Sequence, residues 1–143
     1  MKNSDHDIPA APGSQGWSAD LSYGQSGEGL ARTFLEAVTV GSVEVKTDRW
    51  RNGRWVVEMS QNPRKTGWKP SGLAVTKAEW WCYVYTLDGA MSVVSVARLK
   101  RCVNNLPKSR LRTFVPNSSN PTRGFLLEPS EVLDLMISPA YDA

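Results

Sequence analysis

The chain has 143 residues, 41% apolar and 22% charged, with a formal charge of +3, which is enough for one domain with its own core. No run of about 18 apolar residues is present to span a bilayer, and the first residues lack the apolar centre of a secretory signal, so a soluble cytoplasmic protein with no membrane partner is expected. Cys82 and Cys102 are isolated and the single histidine, His6, lies in a polar tail, so the usual Cys/His zinc sites are excluded and both thiols are expected in the core.

Residues 1–20, with Pro9, Pro12, Gly13 and Gly16 among polar residues, read as a flexible arm, and 21–143 as a single domain. Ser26 offers an N-cap, and Leu30, Phe34 and Val38 recur at spacing four, which predicts a helix over 27–38 with Glu28 in its first turn. Gly41 ends it. Residues 42–48 and 54–60 alternate as strands, and Asn52-Gly53 between them predicts an antiparallel hairpin.

Residues 61–75 combine Pro63, Gly67, Pro70 and Gly72 with Arg64, Lys65 and Lys69, a basic loop. Thr76-Lys77-Ala78-Glu79 has capping-box spacing and predicts a helical turn through Trp80-Trp81. A second hairpin follows over 82–87 and 90–96, turning at Asp88-Gly89, then a short basic helix over 97–106. Residues 107–123 read as a loop, 124–127 as a last strand, and Pro129 opens a C-terminal helix carrying Val132, Leu133 and Met136. The expected class is α+β (α/β), a central mixed sheet with antiparallel hairpins, flanked by helices.

Charge is distributed unevenly. Residues 41–112 hold fourteen Lys/Arg against five Asp/Glu, whereas the flanks hold three against nine. Such a block suits a phosphate-binding surface, and equally a solvated sheet whose lysines guard its edges. Arg64, Lys65, Lys69 and Ser71 in the basic loop, with Arg98, Lys100 and Arg101 on the basic helix, are the candidate nucleic-acid contacts. Trp50, Trp55, Trp68, Trp80 and Trp81 read more readily as packing residues than as base-stacking platforms.

On the first strand Glu44, Lys46 and Asp48 share one face, opposite Val43 and Val45. With Glu58 carried alongside by the hairpin, Glu44, Asp48 and Glu58 form a candidate seat for a divalent metal. Gly27-Glu28, Val43-Glu44-Val45-Lys46-Thr47-Asp48, Glu58 and Ser71-Gly72-Leu73-Ala74-Val75-Thr76-Lys77-Ala78-Glu79-Trp80, in this order, resemble the PD-(D/E)XK, restriction-endonuclease-like nuclease superfamily, and more closely its small phage-encoded members. The resemblance spans roughly residues 24–102 and lies in the combined order of the motifs.

That resemblance implies a Mg²⁺-dependent DNA endonuclease (Mn²⁺ substituting) with Glu28, Glu44, Lys46, Asp48 and Glu58 as catalytic residues. It also implies double-stranded or branched DNA such as Holliday junctions as substrate, a homodimer for two-strand cutting, and the host cytoplasm as location. Two registers stay open. Either Glu44-Val45-Lys46 is the (D/E)xK element and Glu28 stands in for the upstream aspartate, or Asp48 or Glu44 is the upstream acid, Glu58 the second acid and Lys46 the amine. The rival readings are a nucleic-acid-binding protein of the same fold without catalysis and a protein-binding scaffold using Trp80 and Trp81.

Overall fold

The structure is a computed structural model that describes residues 17–143. The chain divides into two compact units, one ending at Val40 and the other spanning Gly41–Ala143. The arm expected over residues 1–20 lies outside the described residues as far as residue 16. From Trp17 the chain is helical.

Helix α1 runs Trp17–Thr39, ten residues earlier than the spacing of apolar residues suggests. Ser26 is therefore no cap: inside the helix its Oγ donates to Ser22 O at 3.0 Å, as Thr33 Oγ1 does to Gly29 O at 3.1 Å. Back-bonding of this kind lets polar residues sit in a helix interior. Gly41, at φ +71, follows the helix in the left-handed conformation that closes many helix ends.

In the second unit, β1 (Val43–Thr47), β2 (Trp55–Gln61), β3 (Lys69–Pro70), β4 (Trp80–Val84) and β5 (Met91–Ser95) are followed by α2 (Val96–Asn104). Then come β6 (Arg112–Phe114), β7 (Thr122–Leu127) and α3 (Pro129–Ile137). These form two sheets instead of one. The first is mixed, in the order β1-β4-β5, with β1 parallel to β4 and β4 antiparallel to β5; the second is antiparallel, in the order β3-β2-β7-β6. The architecture is α+β.

The expected β1–β2 hairpin does not form. β1 pairs with β4, from Val43 opposite Trp80 to Thr47 opposite Val84, and β2 pairs with β7 and β3. The cause is local. Where Asn52-Gly53 would have made a two-residue turn, the carboxylate of Asp48 gathers the backbone N–H groups of Trp50, Arg51 and Gly53 and turns the chain from one sheet into the other. Thr76-Lys77-Ala78-Glu79 likewise starts no helix: Thr76 Oγ1 accepts the Ala78 N–H at 3.2 Å, and Trp80 already belongs to β4.

One core joins both sheets to α2 and α3. Trp55 of β2 stacks on Tyr83 of β4, centroids 4.8 Å apart and 8° from parallel, and its indole N–H donates to Tyr85 Oη at 2.8 Å. Trp81, Leu73, Leu99, Leu127 and Leu135 are fully buried around this stack, and each such side chain contributes on the order of 1.5–3 kcal/mol. Ser95 caps α2 by accepting the Arg98 N–H at 3.1 Å. Pro129 occupies the first turn of α3, and a Glu128/Glu131 capping box closes it. No helix among the described residues is long and apolar enough to cross a membrane.

Candidate nucleic-acid interface

The register of β1 on β4 sets Glu44 beside Trp81 and Lys46 beside Tyr83. Glu44 and Lys46 thus share the face that carries the core aromatics, at its solvent-reached margin. Their charges meet at 2.8 Å, and Lys46 Nζ lies 5.4 Å from the centre of the Trp81 ring. With both side chains about one-third exposed, the pair is worth little to stability. Alternation along β1 correctly put Glu44 and Lys46 on one face.

Asp48 has a different role from the one its sequence position suggested. It lies beyond the end of β1, buried, with Oδ1 accepting from Trp50 and Arg51 at 2.9 Å each and Oδ2 accepting from Gly53 at 3.2 Å. Its own N–H donates to Val84 O at 2.7 Å. Burial first, and then the nearby Asp48 charge, push the Tyr83 phenol above its ordinary range.

Glu58 sits in the other sheet, opposite Gly124 on β7, next to a β-bulge that ends at Ser60. A Cβ on Gly72 would come within 2.4 Å of Glu58 O, and one on Gly124 within 2.2 Å of Val57 O. Two glycines therefore let neighbouring backbone close on β2 around Glu58. The Ser71-Gly72-Leu73 element is structural here: Gly72 adopts φ +54, Leu73 is in the core, and Ser71 Oγ is buried without a hydrogen-bond partner. Buried in this way, Ser71 does not offer its hydroxyl to a phosphate.

The carboxylates proposed as a metal seat do not converge. Glu44 is engaged by Lys46, both Asp48 oxygens by backbone N–H groups, and Glu58 stands in a different sheet. Glu28, expected as a catalytic residue, is exposed on α1. No cluster of three His, Cys, Asp or Glu able to hold a metal is present among the described residues.

The cations divide into two sets. Arg98 is turned inward, donating to Leu135 O at 2.6 Å and Ser138 O at 2.7 Å and pairing with Asp142 at 2.8 Å, so that it caps the C-terminus of α3. Arg101 donates to Tyr141 O at 2.7 Å, and Arg110 makes a two-pronged pair with Glu131 at 2.5 and 2.7 Å. Of the helix residues expected to meet nucleic acid, Lys100 alone faces solvent fully.

Arg64, Lys65 and Lys69 are exposed as expected, on a loop fixed to the 120–121 segment by Arg64 N–H to Asn120 Oδ1 at 3.0 Å and Asn62 N–H to Pro121 O at 2.9 Å. Beside them the Arg123 guanidinium lies over Trp68, 3.9 Å from the ring centre. Arg112 stands 4.7 Å over Phe114. Sequence reasoning did not single out Arg112 and Arg123, because alternate residues of short strands give too weak a pattern to identify before the strands themselves are known.

Trp81, considered above for binding another protein, is buried within the unit, as are Cys82 and Tyr83. Burial also raises the thiols of Cys82 and Cys102 above their ordinary range, as suits inert core cysteines. Comparisons of the chain with protein families, with curated proteins and with solved structures found no match.

Proposed function

We propose that the protein binds DNA along its phosphate backbone through residues 41–143. The observation that carries this reading is the set of cations left over by the fold. Arg49, Arg51, Arg64, Lys65, Lys69, Lys77, Lys100, Lys108 and Arg112 are exposed and make no ion pair among the described residues. A folded chain that needed these charges only for its own stability would pair them with its acids. Among the described residues its ion pairs fall instead on Lys46, Arg54, Arg98 and Arg110. Free cations on a fixed scaffold release condensed counterions when they meet phosphates, which supplies affinity without reading sequence.

Arg64, Lys65 and Lys69 together should contribute up to about three contacts, so a triple alanine variant should flatten the slope of log K against log salt by up to about 2.7. An unchanged slope would move the interface to the Lys100, Lys108 and Arg112 side.

A second reading is a metal-dependent endonuclease acting on duplex or branched DNA, in which a dimer would match the two-fold symmetry of a junction. The Glu44–Lys46 pair on one face of β1, the geometry of an ExK element, favours it. Its test is cleavage of plasmid and synthetic junctions with Mg²⁺, with Mn²⁺ and with EDTA. Cleavage abolished by EDTA and by Lys46→Ala, with DNA affinity retained, supports catalysis. Binding without cleavage under every metal condition leaves the DNA-binding reading alone.

A further inference from the structure

Trp50 is 79% exposed, whereas the large aromatic side chains of a folded domain are on average well buried. It does not sit on a slack tip. The buried Asp48 carboxylate takes the N–H groups of Trp50, Arg51 and Gly53, and these bonds fix the loop from its inner side. Arg51 is held at φ +51 and Gly53 at φ +74. For arginine that conformation persists only where the surroundings over-determine it, and the residues so held cluster at functional sites.

Arg49 and Arg51, both exposed, are the chain neighbours of Trp50. With Asp48, Tyr85 and Asp88 among others they line a cleft of about 530 Å³ between this loop and the β4–β5 turn, and Trp50 stands exposed outside that lining. An exposed indole on a loop of fixed backbone, next in the chain to two exposed arginines, is complementary to a flat ring carried between two phosphates. The geometry points to the 48–53 loop as a stacking finger for an unpaired nucleobase. Trp50 covers one face of the base, and Arg49 and Arg51 meet the phosphates on either side. Every base has such a face, so the finger selects for unpaired structure and not for sequence. Its ligand is DNA with a gap, a frayed end or a branch point, since a fully paired duplex keeps its base faces stacked.

This inference rests on the DNA-binding reading and goes beyond it. The test uses the full chain, a duplex carrying a short single-stranded gap with 2-aminopurine in it, and the same duplex without the gap. Wild type should bind the gapped DNA more tightly and change the 2-aminopurine emission. Trp50→Ala should lose about five-fold or more of its affinity for the gapped DNA, lose the emission change, and bind the intact duplex within about two-fold of wild type. Trp50→Phe, which keeps a ring, should retain most of both signals and serves if the alanine variant folds poorly. Wild type that binds both DNAs equally and leaves the 2-aminopurine signal unchanged overturns the finger while the DNA-binding reading stands. Wild type that binds neither DNA overturns both.

Discussion

At the scale of single residues, Asp48 and Gly72 carry the clearest consequences. An Asp48→Ala substitution leaves three backbone N–H groups without their charged acceptor, and hydrogen bonds to charged groups are worth about 1.5–3 kcal/mol each. We therefore expect Asp48→Ala to lower unfolding free energy by at least about 2 kcal/mol in chemical denaturation, with Asp48→Asn losing less. A carboxylate whose role was to hold a metal would behave the other way, with unchanged stability in the absence of metal. Gly72→Ala places a methyl group 2.4 Å from Glu58 O in a left-handed backbone conformation. It should destabilise by about 2 kcal/mol or more. Denaturation midpoints check both, and a Gly72→Ala protein as stable as wild type would mean that the loop does not close on β2 as described.

At the scale of elements, the Arg110–Glu131 pair ties the segment before β6 to the first turn of α3. Its hydrogen bonds hold the Glu131 carboxyl below the ordinary glutamate range and raise Arg110. A carboxyl lowered in the folded state stabilises above its unfolded pKa, about 4.3, and loses that contribution as pH falls through its folded value. Wild type should therefore exceed Glu131→Gln in melting temperature at neutral pH, and the gap should close as pH falls below about 4. A gap that does not change with pH would show that Glu131 acts through shape rather than charge.

Elements whose signals are local were legible in the sequence. Alternation located β1 and β2, the Asp88-Gly89 turn located the β4–β5 hairpin, and Pro129 opened α3 within its first turn. Choice of partner was not legible. Whether β1 pairs with its neighbour β2 or with the distant β4 depends on packing around Trp55, Tyr83 and Trp81, which no window of sequence contains. The candidate site followed the same division: the Glu44–Lys46 pair lies two residues apart on one strand and was readable, whereas Glu58 needed the partner choice to be known. β6 has three residues, too few to show a period.

At the scale of the whole molecule, the charge asymmetry along the chain becomes a division of labour. The acids of the C-terminal part, Glu128, Glu131 and Asp142, pair with Arg54, Arg110 and Arg98 and hold the unit together. Among the described residues Arg49, Arg51, Arg64, Lys65, Lys69, Lys77, Lys100, Lys108 and Arg112 lie outside those pairs and face solvent. On the proposed DNA-binding reading, such a surface loses little binding free energy to loop ordering. The measurement that tests this most directly is the affinity of the full chain for two short duplexes of unrelated sequence, titrated from about 50 to 200 mM salt. The account predicts binding to both, with log K falling linearly and alike against log salt at about −0.9 per phosphate neutralised. No binding at the lowest salt, or an affinity that does not respond to salt, would contradict it.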